Sequence, residues 1–205
     1  MPDPASLASF ALAAVLIELT PGPNMAWLLL LTLGEGRKAG FIAVSGVATG
    51  LAMVGAGAAF GVAALVAEWP ALWHALRWAG VAFLLWLAWD GWRQADTVRD
   101  GEASPGLVRA FRRGLVTNLL NPKAAVFYIL VLPGFVDPSA TALPQTLLLT
   151  AVYVAVATAI HAALVQLAGW ARPVVLQPRR ERTVRRVLSV LLALVALWFA
   201  WATAT

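Results

Sequence analysis

The stretch Leu19-Thr20-Pro21-Gly22-Pro23-Asn24 interrupts the first long apolar segment of the chain, residues 6–33. Each proline removes a backbone N–H donor and clashes with the helical turn before it, and a glycine separates the two. A second stretch, Thr117-Asn118-Leu119-Leu120-Asn121-Pro122-Lys123, interrupts residues 114–136. We therefore predict that each of these apolar segments forms a broken helix.

The composition places these segments in a membrane. Hydrophobic residues make up 61% of the 205 residues and charged residues only 12%, against about 25% charged residues in soluble domains. A helix needs about 20 apolar residues to cross a bilayer. Six segments come close to this length or exceed it, and they cover residues 6–33, 39–67, 71–92, 114–136, 143–169 and 187–204. The sequence therefore predicts an all-α membrane protein with six transmembrane helices.

Basic residues are distributed unevenly among the loops. Thirteen of the fifteen lysines and arginines lie in the first, third and fifth loops, residues 34–38, 93–113 and 170–186. The positive-inside rule places these loops in the cytoplasm and both termini outside, in the inner membrane of a bacterial-type cell. Because basic loops of membrane proteins lie against anionic lipid, the net charge of +5 indicates a lipid bilayer, and not nucleic acid, as the partner.

The polar loop 93–113 divides a single domain, 1–205, into two halves of three spans, about 5–92 and 114–204. Since three is odd, the second half enters the membrane with opposite polarity, which is typical of the inverted repeats of secondary transporters. The broken helices are the first and fourth spans. Paired breaks near the middle of the membrane indicate a substrate site, and proline kinks that only shape helix packing are the alternative.

Polar residues surround both breaks. Backbone groups that are freed at membrane depth need side chains, water or a ligand as hydrogen-bond partners. The polar residues placed to supply them are Thr20, Asn24, Thr117, Asn118 and Asn121. Two ionisable residues, Glu18 and Lys123, also lie at the breaks. A charge at the centre of a span costs at least ~2.5 kcal/mol, so we expect both residues to be functional.

The residue inventory excludes several kinds of protein. Cysteine is absent, which excludes disulfides, thiolate metal sites and dithiol redox chemistry. The spans offer only Glu18, Asp90 and His161 as ligands for a metal ion, and nothing in the chain resembles a nucleotide-binding loop or a hydrolase site. We therefore predict a protein that is not an enzyme and that binds neither a metal ion nor a cofactor.

The break motifs resemble those of a known family. Leu19-Thr20-Pro21-Gly22-Pro23-Asn24-Met25, followed by Glu35-Gly36-Arg37-Lys38-Ala39-Gly40, is similar to the first signature of the LysE/RhtB-type amino-acid exporters. The segments 111–114, 117–124 and 132–136 resemble the second signature. The resemblance implies a six-span inner-membrane exporter of amino acids or related small solutes, usually driven by the proton gradient. It also implies that the pathway is lined by Pro21, Gly22, Pro23, Asn24, Asn121, Pro122 and Lys123.

An amino-acid substrate would give the buried charges a role. We hypothesise that Lys123 and the amides of a broken-helix N-terminus hold the substrate carboxylate, while Glu18 and freed carbonyls hold its ammonium group. A structural ion pair between Glu18 and Lys123 is the alternative. The candidates for proton coupling are Glu18 and His161, because both side chains titrate.

Two packing features complete the sequence-based expectations. Gly46-x-x-x-Gly50 and Gly57-x-x-x-Gly61 predict close helix packing, within the chain or at the seam of a homodimer. Asp90 is expected to pair with Arg93, one helical turn away.

The alternative functions are export of an inorganic cation or another small metabolite, and a role as a non-transporting membrane assembly subunit.

Overall fold

The computed structural model describes residues 3–20, 22–61, 68–96, 106–175 and 181–202, and it is all-helical over them. The α-helices are α1 (Pro4–Leu19), α2 (Pro23–Glu35), α3 (Arg37–Ala59), α4 (Pro70–Asp96), α5 (Leu107–Leu119), α6 (Pro122–Val126), α7 (Ala142–Val175) and α8 (Glu181–Ala202). A π-helical turn, Phe127–Val131, and a 3-10 turn, Leu132–Phe135, continue the chain after α6.

Both predicted breaks are present, which confirms the two broken helices. The axes of α1 and α2 are bent by 60°, and α5 is bent by 48° from the segment Lys123–Phe135. The backbone is extended at Thr20, which ends α1, and at Gly22, which precedes Pro23 at the first position of α2. Proline is favoured at this first position because its missing N–H has no helical partner there anyway. Pro122 likewise begins α6.

The lengths of the helices fit a membrane protein. Three helical segments are long and apolar enough to cross a membrane, namely Arg37–Ala59, Ala71–Arg93 and Ala142–Val175. Counting each bent pair as one span raises the number to five by length and composition. α8 lies at the position of the sixth predicted span but is not among these candidates.

Several helices are longer than the apolar segments that predicted them. α5 begins at Leu107, inside the predicted loop 93–113, and α8 begins at Glu181 instead of residue 187. Arginine lowers hydropathy but is a good helix former, so a helix continues where the apolar signal ends. α3 instead ends at Ala59, before a turn with Gly61 at φ 89°, and the rest of the predicted span, residues 62–67, lies outside the described residues.

Two apolar cores stabilise the bundle. The first core joins α1, α6 and the π-helical turn around Phe10 and Phe127, and the second joins α2, α4, α5 and α8 around Trp27. α3 and α7 pass through both cores, and α7 leaves the first at Ala157 and enters the second at Val165. The two helix breaks therefore lie where the chain passes from one core to the other.

α3 and α5 approach each other backbone to backbone. A Cβ atom on Gly46 would lie 2.2 Å from the carbonyl oxygen of Phe111, and one on Gly114 would lie 2.2 Å from that of Ala43. A Cβ atom on Gly50 would lie 3.1 Å from the Cβ atom of Asn118. The Gly46/Gly50 pair thus serves helix packing within the chain and fixes the position of α5 just before its break, whereas Gly61 lies beyond the end of α3 and has nothing within 4 Å of its would-be Cβ atom.

We predict that Gly46→Ala destabilises the protein, because the added methyl group meets backbone and forces α3 and α5 apart. The expected loss is about 1–3 kcal/mol, measured as a lower unfolding temperature of the purified protein in detergent. Gly134→Ala is the matched control, since a Cβ atom on Gly134 would have nothing within 4 Å. Equal unfolding temperatures for the two variants would contradict the close packing of α3 on α5.

Candidate functional site

Lys123 connects the two breaks. Its Nζ atom donates a hydrogen bond to the carbonyl oxygen of Thr20 at 2.9 Å, across 103 residues of sequence. Thr20 ends α1, so its carbonyl belongs to the partially negative end of that helix. An ammonium group is therefore a favourable partner for this carbonyl. Asn121 holds Lys123 in place, because its Oδ1 atom accepts from the Lys123 backbone N–H at 3.2 Å.

The N-terminus of α2 lies beside the same ammonium group. A Cβ atom on Gly22 would lie 3.5 Å from Cδ of Lys123 and 3.9 Å from Nζ, so the lysine side chain runs past Gly22. Gly22 is the N-cap residue of α2 and offers no side-chain hydrogen bond to the first amides of that helix. Positive charge from Lys123 and the partially positive end of α2 thus meet at one place.

Asn24 and Asn118 link α2 to α5 next to the breaks. The Nδ2 atom of Asn24 donates to Oδ1 of Asn118 at 2.8 Å, and both side chains are buried. The remaining oxygen of Asn24 and the remaining nitrogen of Asn118 are buried and have no hydrogen-bond partner in the part of the chain that the structure describes. One acceptor and one donor are therefore left for another polar group.

Glu18 is held by two residues of α7. Its Oε1 atom accepts from the Tyr153 hydroxyl at 2.7 Å, and its Oε2 atom lies 3.4 Å from Nε2 of His161. Glu18 is 5% exposed and His161 is 2% exposed. The carboxylate and the imidazole are close enough to form an ion pair whenever His161 is protonated. We call the buried side chains of Glu18, Asn24, Asn118 and His161 the polar layer, because they lie between the two cores.

Other predicted site residues take more local positions. The Thr20 hydroxyl donates to the Leu16 carbonyl at 3.0 Å and the Thr117 hydroxyl donates to the Arg113 carbonyl at 2.6 Å, each within its own helix. Pro23 is buried at the start of α2. Pro21 lies outside the described residues, and Pro122 contributes the first residue of α6.

Glu18, Lys123 and Asp90 each have a partner that the sequence did not indicate. Glu18 and Lys123 form no ion pair, because Glu18 bonds to α7 while Lys123 bonds to the end of α1. The carbonyl of Thr20, at the end of α1, is the acceptor for the Lys123 ammonium group. Asp90 forms an ion pair with Arg113 of α5, a contact that the helical spacing to Arg93 did not indicate.

Tyr153 is the site residue that sequence reasoning missed. It precedes His161 by eight residues, and two turns of an α-helix take about seven, so the two side chains share one face of α7. A tyrosine hydroxyl inside a span without charges also needs a hydrogen-bond partner. The signal for Tyr153 that the sequence offered was the buried Glu18, whose carboxylate needs a hydrogen-bond donor.

The chain is similar to several known proteins. The profile of the family described as LysE type translocator matches residues 15–203. A leucine efflux protein of Enterobacter sp. (strain 638) is 36% identical over 137 residues, and one of Klebsiella pneumoniae is 35% identical over 135 residues. These alignments cover 65% and 64% of this chain and 64% of each relative, which is less than two thirds of the relatives' length.

A longer alignment joins the chain to a membrane protein of Pseudomonas aeruginosa. The two are 30% identical over 186 residues, which cover 85% of this chain and 83% of the relative. No solved structure matches the chain significantly. Because the family profile extends over nearly the whole sequence, the chain belongs to the LysE type translocator family, whose members are membrane transporters and not enzymes.

Proposed function

We propose that the protein exports small apolar amino acids, leucine among them, across the cytoplasmic membrane in exchange for protons. Family membership and the leucine efflux proteins among its relatives support amino-acid export. The observation that carries the proposal is the contact of Lys123 with the carbonyl of Thr20, beside the uncapped start of α2. This arrangement places a cation and a backbone acceptor, which now bond to each other, within reach of one small zwitterion.

The substrate's two charges would take over existing interactions. Its carboxylate would bind Lys123 and the first amides of α2, where positive charge is concentrated. Its ammonium group would then replace Lys123 at the Thr20 carbonyl and approach Glu18, which lies two residues earlier in the chain. Bound in this way, the substrate leaves no charge unpaired inside the bundle, which a membrane span requires.

An apolar groove next to this site supports an apolar side chain. The groove lies between α2, α7 and α8 and has a volume of about 500 Å³. It begins at Gly22, which adjoins Lys123, and it includes Leu164, one helical turn beyond His161. Its other lining residues are Met25, Ala26, Leu29, Val195 and Trp198. A leucine side chain placed here would be buried against aliphatic and aromatic carbon.

The polar layer supports proton coupling. The Glu18 carboxylate contacts His161 at 3.4 Å, and it is also the group proposed to receive the substrate ammonium. A proton shared between Glu18 and His161 therefore competes with the substrate for the same negative charge. Because only one of the two can bind at a time, export of the substrate ammonium group is coupled to import of a proton.

The contacts between helices support the arrangement as two inverted repeats. With α1–α2 and α5–α6 each counted as one span, every broken span packs on the second span of the opposite half. These contacts are α3 with α5, and α7 with both α1 and α2. The two third spans, α4 and α8, pack on each other. A twofold axis through the bundle would generate this pattern.

Clustering of arginines at one end supports the predicted orientation, with the odd-numbered loops in the cytoplasm. Arg172 donates to the Leu33 carbonyl at 3.0 Å, and Arg185 donates to the Gly34 carbonyl at 2.8 Å. The side chain of Arg37 packs over Gly169. Basic residues of the first and fifth loops therefore surround the same end of α2, as the positive-inside rule requires.

We predict that Lys123→Ala abolishes most leucine export from proteoliposomes. Loss of a charged hydrogen-bond partner costs about 1.5–3 kcal/mol, which corresponds to a decrease of about 10- to 100-fold. Lys38→Ala removes an exposed lysine and should export leucine like the wild type. Normal export by Lys123→Ala would contradict the role of the lysine, and no leucine export by the wild type would contradict the proposed function.

His161→Gln is expected to uncouple transport from protons, because glutamine cannot accept a proton in the relevant pH range. We expect the variant to exchange internal for external leucine but to gain no acceleration from a pH gradient. Leucine flux measured with and without the gradient gives the comparison. His74→Gln changes an exposed histidine and should respond to the gradient normally. A normal acceleration of leucine flux by the pH gradient in His161→Gln would contradict the coupling proposal.

Because the chain lacks cysteine, single cysteines can report its orientation. We expect Lys38→Cys to react with a membrane-impermeant maleimide only after cells are opened, and Ala140→Cys to react in intact cells. Both positions are exposed. The reverse labelling pattern would invert the orientation and with it the direction of transport.

A further inference from the structure

A row of buried hydroxyl groups runs along α7 between its first turn and the polar layer. Thr146, Thr150 and Tyr153 follow one another at spacings of four and three residues, so they lie on one face of the helix. Their exposed fractions are 7%, 6% and 1%. We call these three residues, together with Tyr128 of the π-helical turn, the hydroxyl row.

The hydroxyl row ends at the polar layer. The Tyr153 hydroxyl donates a hydrogen bond to Oε1 of Glu18 at 2.7 Å. The ring of Tyr128 meets that of Tyr153 edge to face, with the ring centroids 5.6 Å apart. The charge of Glu18 acts on both phenol groups. The chain contains only two tyrosines, so all of its phenol groups lie close to this one carboxylate.

Thr150 is the incompletely satisfied member of the hydroxyl row. Its Oγ1 atom and the Tyr128 hydroxyl flank Gly55 of α3, where a Cβ atom would lie 2.6 Å from the first and 2.5 Å from the second. Apart from this neighbour, Oγ1 has no hydrogen-bond partner among the described residues. The hydroxyls of Thr32 and Thr117 instead donate to carbonyls one turn earlier in their own helices. Because a valine would fill the same space without burying a polar group, the Thr150 hydroxyl calls for a role other than packing.

We propose that the hydroxyl row conducts the imported proton from the outer end of α7 to Glu18 and His161. A hydroxyl group both donates and accepts, so it can pass its own proton inward and take another from the outer side. No member of the row then changes its charge, and water completes any step that is longer than a hydrogen bond. Only O–H and N–H bonds break and form, and the one net change is a proton gained by the pair of Glu18 and His161.

The surroundings of the hydroxyl row support this role. The row crosses the first apolar core, where Phe10, Phe127, Leu132 and Leu149 offer no group that can carry a proton. Among the described residues of that region, the hydroxyls are therefore the groups along which a proton can move. The inference rests on the proposed exchange for protons and on the orientation that places the start of α7 outside.

Proteoliposomes that contain a pH-sensitive dye test the proposal, because they report proton influx separately from leucine movement. Thr150→Val keeps the shape of the side chain and removes the hydroxyl. We expect it to lower leucine-dependent proton influx by about 10- to 100-fold, since a positioned proton donor accelerates proton transfer at least this much. It should still exchange internal for external leucine at the wild-type rate, which also shows that the variant is folded. Thr32→Val, the same substitution at a buried threonine of α2, should leave both rates unchanged.

Two further variants separate the hydroxyl from its packing. Thr150→Ser keeps the hydroxyl and should conduct protons like the wild type, whereas Tyr128→Phe keeps the ring and should lose proton influx as Thr150→Val does. Normal proton influx in Thr150→Val or in Tyr128→Phe would overturn the proposal. An equal loss in Thr150→Ser and Thr150→Val would also overturn it, because packing would then explain the effect. A wild type that exports leucine without proton influx would instead reject the proposed proton coupling.

Discussion

A backbone carbonyl that lies at membrane depth and has no helical partner must find another donor. The carbonyl of Thr20 is such a group, since α1 ends there, and the Lys123 ammonium group is its donor. This one hydrogen bond ties the first broken helix to the second, and it brings a cation to the uncapped start of α2. In the proposed mechanism, a small zwitterion replaces both partners without leaving a charge unpaired.

Division of the bundle into two apolar cores makes this arrangement possible. A single continuous core would have no place for Glu18, Asn24, Asn118 and His161, whose polar atoms need one another as partners. The helices α3 and α7 hold the two cores together, and close packing at Gly46 fixes α5 so that Asn118 meets Asn24. Stability therefore resides in the cores, and we propose that function resides in the layer between them.

The sequence predicted the breaks because proline and glycine act locally, through missing donors and steric clashes. It also identified Glu18, Lys123 and His161 as candidate functional residues, because an ionisable side chain is conspicuous in an apolar segment. Side-chain partners were harder to predict, because they depend on how helices rotate against each other. In the sequence, both Glu18 and the Thr20 carbonyl are possible partners of Lys123. Only the packing of α7 against α1 shows that Glu18 contacts Tyr153 and His161.

Cryo-electron microscopy of the full chain in lipid nanodiscs with saturating leucine tests the central claim most directly. The account predicts that both helices are broken inside the protein and that leucine lies between the breaks, with its carboxylate toward Lys123 and the start of α2. Continuous helices through residues 19–24 and 118–123, or leucine bound without contact to either break, would contradict it.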